Sequence, residues 1–305
     1  MPGHHVPVLM EEAARLLVTD RGGVYVDATL GMGGHASAIL SGLTPTGRVI
    51  GLDCDPAAIA RAASSPPAPE PRFVARRARF SELQATLDGL GVVPVDGILA
   101  DLGLSSAQLD DPERGLSFAV DGPLDMRLDP SRPLTADALI RQSDDRLLLR
   151  VLAEYGEVPR PRAVLGVIRR AAGTHRPLTT GALREALAPL FPGPVRPRRL
   201  AQVFQSLRVA VNQELDELAS LLDAARHVVR AGGTLCVIAY HSLEDRLVKR
   251  ALRPPRPLDP REVVPESPWV PLTRQPMRPS EEECRQNPRA RSARLRAARR
   301  KEDLP

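Results

Sequence analysis

VYVDATLGMGGHA, residues Val24 to Ala36, is the stretch on which the fold turns. Its first five residues are a short apolar run of the β-branched and aromatic kind, which reads as a buried strand. Gly31, Gly33 and Gly34 follow at once. They let the backbone turn tightly and approach a ligand with no Cβ in the way, and a helix starting near His35 aims its free N–H groups at that ligand. Gly31, Gly33 and Ala36 also satisfy the dinucleotide GxGxxG/A pattern, so the loop by itself does not choose its ligand.

Outward from this loop the N-terminal third alternates strands and helices. RVIGL (Arg48 to Leu52), Arg72 to Ala75 and GILA (Gly97 to Ala100) read as buried parallel strands, with helices such as Ala57 to Ala63 between them. A second strand-helix region comes late. Val203 to Val229 carries one long amphipathic helix pattern, Ala231-Gly232-Gly233 stops it, and TLCVIAY (Thr234 to Tyr240) is another buried strand. Between about Asp110 and Gln202 the periodicity is helical and no strand is evident; Ser143 reads as the N-cap of a helix ending near Gly156, and Gly173 as the close of the next. The division is therefore a core in two parts, 1–109 and 203–252, a helical domain inserted at 110–202, and a Pro-rich, charged segment, 253–305, expected to be extended or partly disordered.

Acids mark the ends of the strands. Asp53 and Asp55 close the second, and an acid 22 residues after Gly31 is placed to accept hydrogen bonds from both hydroxyls of a ribose. NAD and S-adenosylmethionine share that need. Asp27, at the tip of the first strand, opposes the positive amino acid end of S-adenosylmethionine but repels a pyrophosphate, which favours the methyl donor. Phe80 offers an apolar face for adenine or plain core packing. Asp101 ends the fourth strand at the edge where doubly wound sheets bind ligands, with Gly103, Ser105, Ser106 and Gln108 on the polar loop beyond.

Charge is unevenly placed. The 305 residues carry a formal net charge of +5, yet residues 141–208 hold 13 Arg against 5 acids, and residues 285–301 hold 8 basic residues and no acid. Two such segments in an otherwise acidic chain suit a phosphate backbone. Cys54, Cys236 and Cys284 lie far apart with no metal-ligand spacing, and no apolar run is long enough for a bilayer, so the expectation is a soluble, cytoplasmic protein with no disulfide framework, no membrane and no metal.

Taken in order, HVPVLMEEA, DATLGMGGHA, GLDCDP, DGILADLGLSSAQLDDPERGLSF, DGPLDMRLDP, FQSLRVAVNQELDEL, GGTLCVIAYHSLEDRLVKR and NPRARSARLR span nearly the whole chain. With these strings the chain resembles the small-subunit ribosomal RNA methyltransferase H family of the MraW type. The resemblance implies an α/β, Rossmann-like S-adenosylmethionine-dependent methyltransferase core with an inserted helical domain, methylating N4 of a cytosine in 16S rRNA, within the small ribosomal subunit. It places cofactor contacts on Gly33, Gly34, His35, Asp53, Phe80, Asp101 and Gln108. Two departures fall in or beside the insertion: Arg198-Arg199-Leu200-Ala201-Gln202 stands where the family has a His-Pro-Ala-Thr-Arg-like string, and Pro159 and Pro161 interrupt an expected basic helix.

For the chemistry, Asp101 with the Leu102-Gly103 backbone is the expected acceptor for the target amine, although the Asp/Asn-Pro-Pro-aromatic motif of amino-methyltransferases is absent. His241, with Ser242 and Glu244, is a second catalytic candidate, to position the base or take the departing proton. Three alternatives stay open: a DNA amino-methyltransferase, a non-catalytic RNA-binding assembly factor and, more distantly, an NAD dehydrogenase. A homodimeric state is likewise undecided by the sequence.

Overall fold

The computed structural model describes residues 7–64, 70–253 and 266–302. They fall into two compact units, one from the described residues of 1–103 and 215–305 and one from 104–214. No helix among the described residues is long and apolar enough to cross a membrane.

The first unit is built on a seven-stranded sheet: β1 (Val24–Asp27), β2 (Arg48–Asp53), β3 (Phe73–Arg77), β4 (Val95–Asp101), β5 (Val229–Ala239), β6 (Trp269–Pro271) and β7 (Arg294–Arg300). Their spatial order is β3-β2-β1-β4-β5-β7-β6. The strands β1 to β5 are parallel, β7 runs antiparallel to β5, and β6 antiparallel to β7.

The apolar runs are continuous because both faces of this sheet are covered. Side chains alternate across a strand, so Val26, Ile50, Ile98, Leu235 and Val237 enter one core with Leu83, Leu87, Leu218 and Leu221 from two helices. Tyr25, Val49, Leu99, Cys236 and Ile238 enter the other, against Ala13, Leu17, Ile39 and Leu40. Each fully buried aliphatic chain contributes roughly 1.5–3 kcal/mol.

Strand order reverses between β1 and β4, which lie side by side with β2 and β3 on one flank and β5 on the other. At such a switch point the connections leave in opposite directions and open a crevice at the carboxyl ends of the strands.

Three sequence readings are corrected here. The long helix of 203–229 is two, Arg196–Asn212 and Glu214–Val228, parted at Gln213 in a left-handed conformation (φ 54°). Asn212 explains the break: its side chain accepts from Leu128 N–H and donates to Met126 C=O, drawing the chain out of helical register. The Ala231-Gly232-Gly233 stop lies inside β5, where Gly232 has φ 76° and the pairing with β4 shifts register.

The segment beyond 253 is the third correction. Residues 254–265 and 303–305 lie outside the described residues, but 266–302 supply β6, β7 and the helix Glu281–Gln286. Here β7 pairs along β5 through six residues, Thr234 to Ala239. The segment's proline and charge content predicted extended or partly disordered chain, yet Leu295, Ala297 and Ala298 are buried, and Arg296 is buried with them on Asp245.

The second unit is helical; among its described residues the extended pairing is a single isolated bridge, Pro123 to Thr179. Leu139, Leu152, Ile168, Leu183 and Leu207 share its core. Side-chain caps start its helices: Thr135 accepts from Ala138 N–H, Asp144 from Leu147 N–H and Thr179 from Ala182 N–H, the bond that satisfies an otherwise orphaned donor. Asp144, not Ser143, is thus the cap, since Ser143 ends the preceding helix; and the helix expected to close at Gly173 runs on to Thr174. The DGPLDMR string proves to be a scaffold here: Asp121 accepts from Gly181 N–H at 2.6 Å, Asp125 pairs with Arg127, and Met126 is buried at positive φ beneath Asn212.

Candidate active site

The carboxyl ends of β1, β2 and β4 each present an aspartate, and the glycine loop lies over them. Gly31 (φ 50°) and Gly33 (φ 78°) adopt left-handed conformations, and Gly33 caps the helix Gly34–Gly42. At Gly34 a Cβ would stand 2.3 Å from the Pro7 ring, so a larger residue there displaces the N-terminal segment packed on the loop. Asp53 ties the loop down: one oxygen accepts from Gly31 N–H at 2.8 Å and the other from Asp55 N–H at 2.9 Å. Burial pushes the Asp53 carboxyl above its ordinary value against the opposing pull of these two bonds. Asp55, which the sequence offered beside Asp53 for a ribose, is buried and accepts from Ala57 N–H in the first turn of the next helix.

Asp27 is fully buried. One of its oxygens accepts from Thr29 N–H at 3.1 Å; the other, Oδ2, has no hydrogen-bond partner among the described residues. Burial lifts its pKa to about 6, with His35 nearby pulling the other way. An unsatisfied carboxylate oxygen in such a place is costly unless a donor or cation meets it.

His35 and Asp101, from the loop helix and β4, meet at 3.3 Å between Nε2 and Oδ2. Burial alone would lower the imidazole's pKa, but its bond to Asp101 and the charges of Asp101 and Asp27 outweigh this and raise it. The second oxygen of Asp101 accepts from the Tyr240 hydroxyl at 2.8 Å, and the Asp101 N–H donates to Thr29 Oγ1 at 2.7 Å. Burial, then the neighbouring Asp101, push the Tyr240 phenol far above its usual range, so it stays protonated and donates. Sequence reasoning missed Tyr240 and Thr29 as site residues; the cue was the position of each just past a strand carrying or flanking the acids.

Other expected residues are placed differently. Phe80 opens the turn Phe80–Glu82 after β3 and packs, partly buried, on the first core. His241 is the N-cap of the helix Ser242–Leu252: Nδ1 accepts from Glu244 N–H at 3.4 Å, and Nε2 lies 3.0 Å from Glu244 Oε1. Glu244 in turn accepts from the N–H groups of Tyr240 and His241. The Leu102 N–H, expected to face the acceptor site with Asp101, donates instead to Ile238 C=O within the sheet. Gln108 belongs to the second unit, where its side chain accepts from Ser105 N–H and completes a capping box.

Asp27, Asp53 and Asp101 thus stand at neighbouring strand ends, and one of them carries a buried oxygen with no partner among the described residues. A set of carboxylates suits a positively charged ligand such as S-adenosylmethionine and repels a pyrophosphate.

A profile of the MraW methylase family matches residues 3–301. The chain is 48% identical over 300 residues to "Ribosomal RNA small subunit methyltransferase H" of Sorangium cellulosum, covering 97% of this chain and 90% of that one. Its counterpart of the same name in Thermomicrobium roseum is 44% identical over 305 residues (97% and 93% covered), and that of Symbiobacterium thermophilum 43% over 313 (97% and 96%). Because the profile and these relatives run nearly end to end through both units and through every strand of the aspartate-lined sheet, the chain belongs to the MraW methylase family.

Proposed function

We propose that this chain transfers a methyl group from S-adenosylmethionine to N4 of a cytosine in the 16S RNA of the small ribosomal subunit. The observation that carries the reading is the buried, unpartnered oxygen of Asp27 at the switch point of the sheet. A fully buried anion with a vacant acceptor is built for a cationic ligand, and the names of the relatives supply the substrate. Their counterparts' full-length match extends through the helical unit as well.

When bound, S-adenosylmethionine supplies an electrophilic methyl on a positive sulfur. Asp27 would hold the amino end, Asp53 the ribose hydroxyls, Phe80 an adenine face and Gly33-Gly34 the close backbone approach. A cytosine amine is a poor nucleophile because its lone pair is conjugated with the ring. Asp101, fixed by Tyr240, His35 and Thr29, accepts an N–H of the amine and orients its lone pair at the methyl carbon. With the donor bound, its methyl would pass from sulfur to the amine nitrogen, leaving a neutral thioether, and the proton released from nitrogen would pass by way of the Asp101 carboxylate to solvent. His241, whose Nδ1 caps the helix Ser242–Leu252, positions the base or takes the departing proton.

The test is to incubate the protein with labelled methyl donor and either unmodified small subunits or naked DNA, then to identify the modified nucleoside by mass spectrometry. N4-methylcytidine in the RNA of the small subunit is expected. Label in DNA alone would make it a DNA amino-methyltransferase, and the absence of both label and donor binding would leave an assembly factor.

A further inference from the structure

The helix Met10–Leu17 begins without a cap of its own. Leu9, at its N-cap position, stands in a left-handed conformation (φ 53°), and its apolar side chain cannot accept a hydrogen bond. Leu9 is also buried, so its N–H needs an acceptor from elsewhere. That acceptor is Glu283, 274 residues along the chain, whose Oε1 receives the Leu9 N–H at 2.8 Å.

Glu283 is itself held in place. It lies on the helix Glu281–Gln286, capped by Ser280, whose hydroxyl accepts from the Glu283 N–H at 3.1 Å. Before that helix Met277 exchanges two backbone bonds with Leu295 of β7, and after it Ala290 and Ala293 enter the same core as Val8, Leu9 and Ala36. The Glu283 carboxylate is near Tyr240 as well: burial first, then Asp101, raise the Tyr240 phenol, and the charges of Glu244 and Glu283 add to them.

The other end of this contact leads to the glycine loop. Two residues before Leu9 the Pro7 ring packs on Gly34, filling the space in which a side chain there would stand, and Gly33-Gly34 is the backbone assigned above to the methyl donor. A prolyl residue carries no N–H, and its ring offers the loop van der Waals contact alone. What keeps the ring seated is therefore the anchoring of the chain just after it. Glu283, Leu9, Pro7 and Gly34 all belong to the first unit.

Resting on the methyl-donor reading above, we infer that Glu283 is a positioning residue for donor binding: from the C-terminal segment it pins Leu9, seats Pro7 on Gly34, and so holds the glycine loop in the form that receives S-adenosylmethionine. It touches neither donor nor RNA and takes no proton. A purely local role, the capping of one helix, would cost stability and leave the donor site as it was.

Three variants of the full-length protein test this. Glu283→Ala removes the acceptor; Glu283→Gln keeps an amide oxygen that can still receive the Leu9 N–H; Pro7→Ala trims the ring and leaves the latch in place. Donor affinity by calorimetry, donor KM and kcat on small subunits, and the melting temperature are read for each. Glu283→Ala is expected to weaken donor binding about tenfold, the scale of one stranded buried N–H, whereas Glu283→Gln should stay within about twofold of wild type. The loss should appear in the donor KM, with kcat at saturating donor falling less than about threefold. Because both changes break one path, Glu283→Ala combined with Pro7→Ala should cost no more than the greater of the single losses. Wild-type donor affinity in Glu283→Ala, or losses that multiply in the double variant, would refute the inference. Should Glu283→Ala fail to fold, Pro7→Ala decides, and unchanged donor affinity there refutes it. A wild-type protein that binds the donor but methylates no RNA overturns the RNA assignment alone; one that binds no donor overturns both.

Discussion

The two arginine-rich segments, alike in the sequence, differ in how much of their charge is engaged. In 285–301, Arg294 and Arg296 grip Asp245, Arg285 pairs with Glu282, Lys301 with Glu266, and the strand that carries four of the arginines is paired into the sheet. In 141–208 six arginines stand in solvent with no partner among the described residues. A charge buried in a covered sheet, as Arg296 is, must find an anion, whereas an exposed one, such as Arg299 on the same strand or the helix arginines of the other segment, is under no such demand. Charge density along a chain therefore says little about charge available to a ligand.

The largest effect should come from the free set. Changing Arg146, Arg150, Arg162, Arg170, Arg176 and Arg198 together to Gln is expected to cut RNA affinity roughly a thousandfold at low salt. The slope of log K against log salt should shrink by about 4, at ~0.7 per lost phosphate contact in a single strand. Titration at several salt concentrations reads both, and an unchanged slope would erase the distinction between the segments.

Next comes the buried pair. Asp245→Ala strands Arg296 in the sheet and should destabilise the protein by about 3 kcal/mol, whereas Arg146→Gln should change stability by less than about 0.5 kcal/mol. Denaturant unfolding compares them; equal costs would mean that the tail arginines are no more structural than the exposed ones.

Acid sharpens the contrast through two aspartates that differ in their cations. Burial works to raise the Asp245 carboxyl, but its bonds to Arg296 and Arg294 win and hold it below the ordinary range. Its contribution to stability is therefore present above the unfolded value of ~3.9 and lost as pH falls through the lower folded value. Asp27 has no arginine; burial raises it to about 6, with His35, itself raised, beside it. Its contribution to the ligand-free protein runs the other way, complete below ~3.9 and lost as pH rises through about 6. A cationic methyl donor reverses that preference. Donor affinity should fall about tenfold per unit below pH 6, with proton release on binding, and Asp27→Asn should flatten the profile. Calorimetry in two buffers of different ionisation enthalpy measures this, and a flat wild-type profile would remove the cation from Asp27.

The smallest effect concerns Tyr240. Tyr240→Phe deletes the hydroxyl on Asp101 and should lower kcat by about tenfold at saturating donor and RNA, without moving the donor KM by more than about twofold. A loss confined to KM would assign the bond to ligand binding.

Much of the site could be read directly from the residues. Strands β1, β2, β4 and β5 announced themselves as apolar runs, the glycine loop as a tight turn, and Asp27, Asp53 and Asp101 as acids at strand ends. Phe80 lies in the turn after β3 and packs on a core, and Gln108, expected on a polar loop, lies in the short helix Ser106–Asp110, where it completes a capping box. The break at Gln213 escaped detection because the apolar period runs on through it, and its cause, Asn212, bonds a segment more than eighty residues away.

What the sequence determined by itself is local: which runs are apolar, where glycine frees the backbone, and which strands end in an acid, since each depends on neighbours in the chain. Only the tertiary structure decided which charges are spent on one another. Tyr240 reaches Asp101 across 139 residues and Arg296 reaches Asp245 across 51, and such pairings arise when folding brings distant groups into a medium too poor in water to leave them alone.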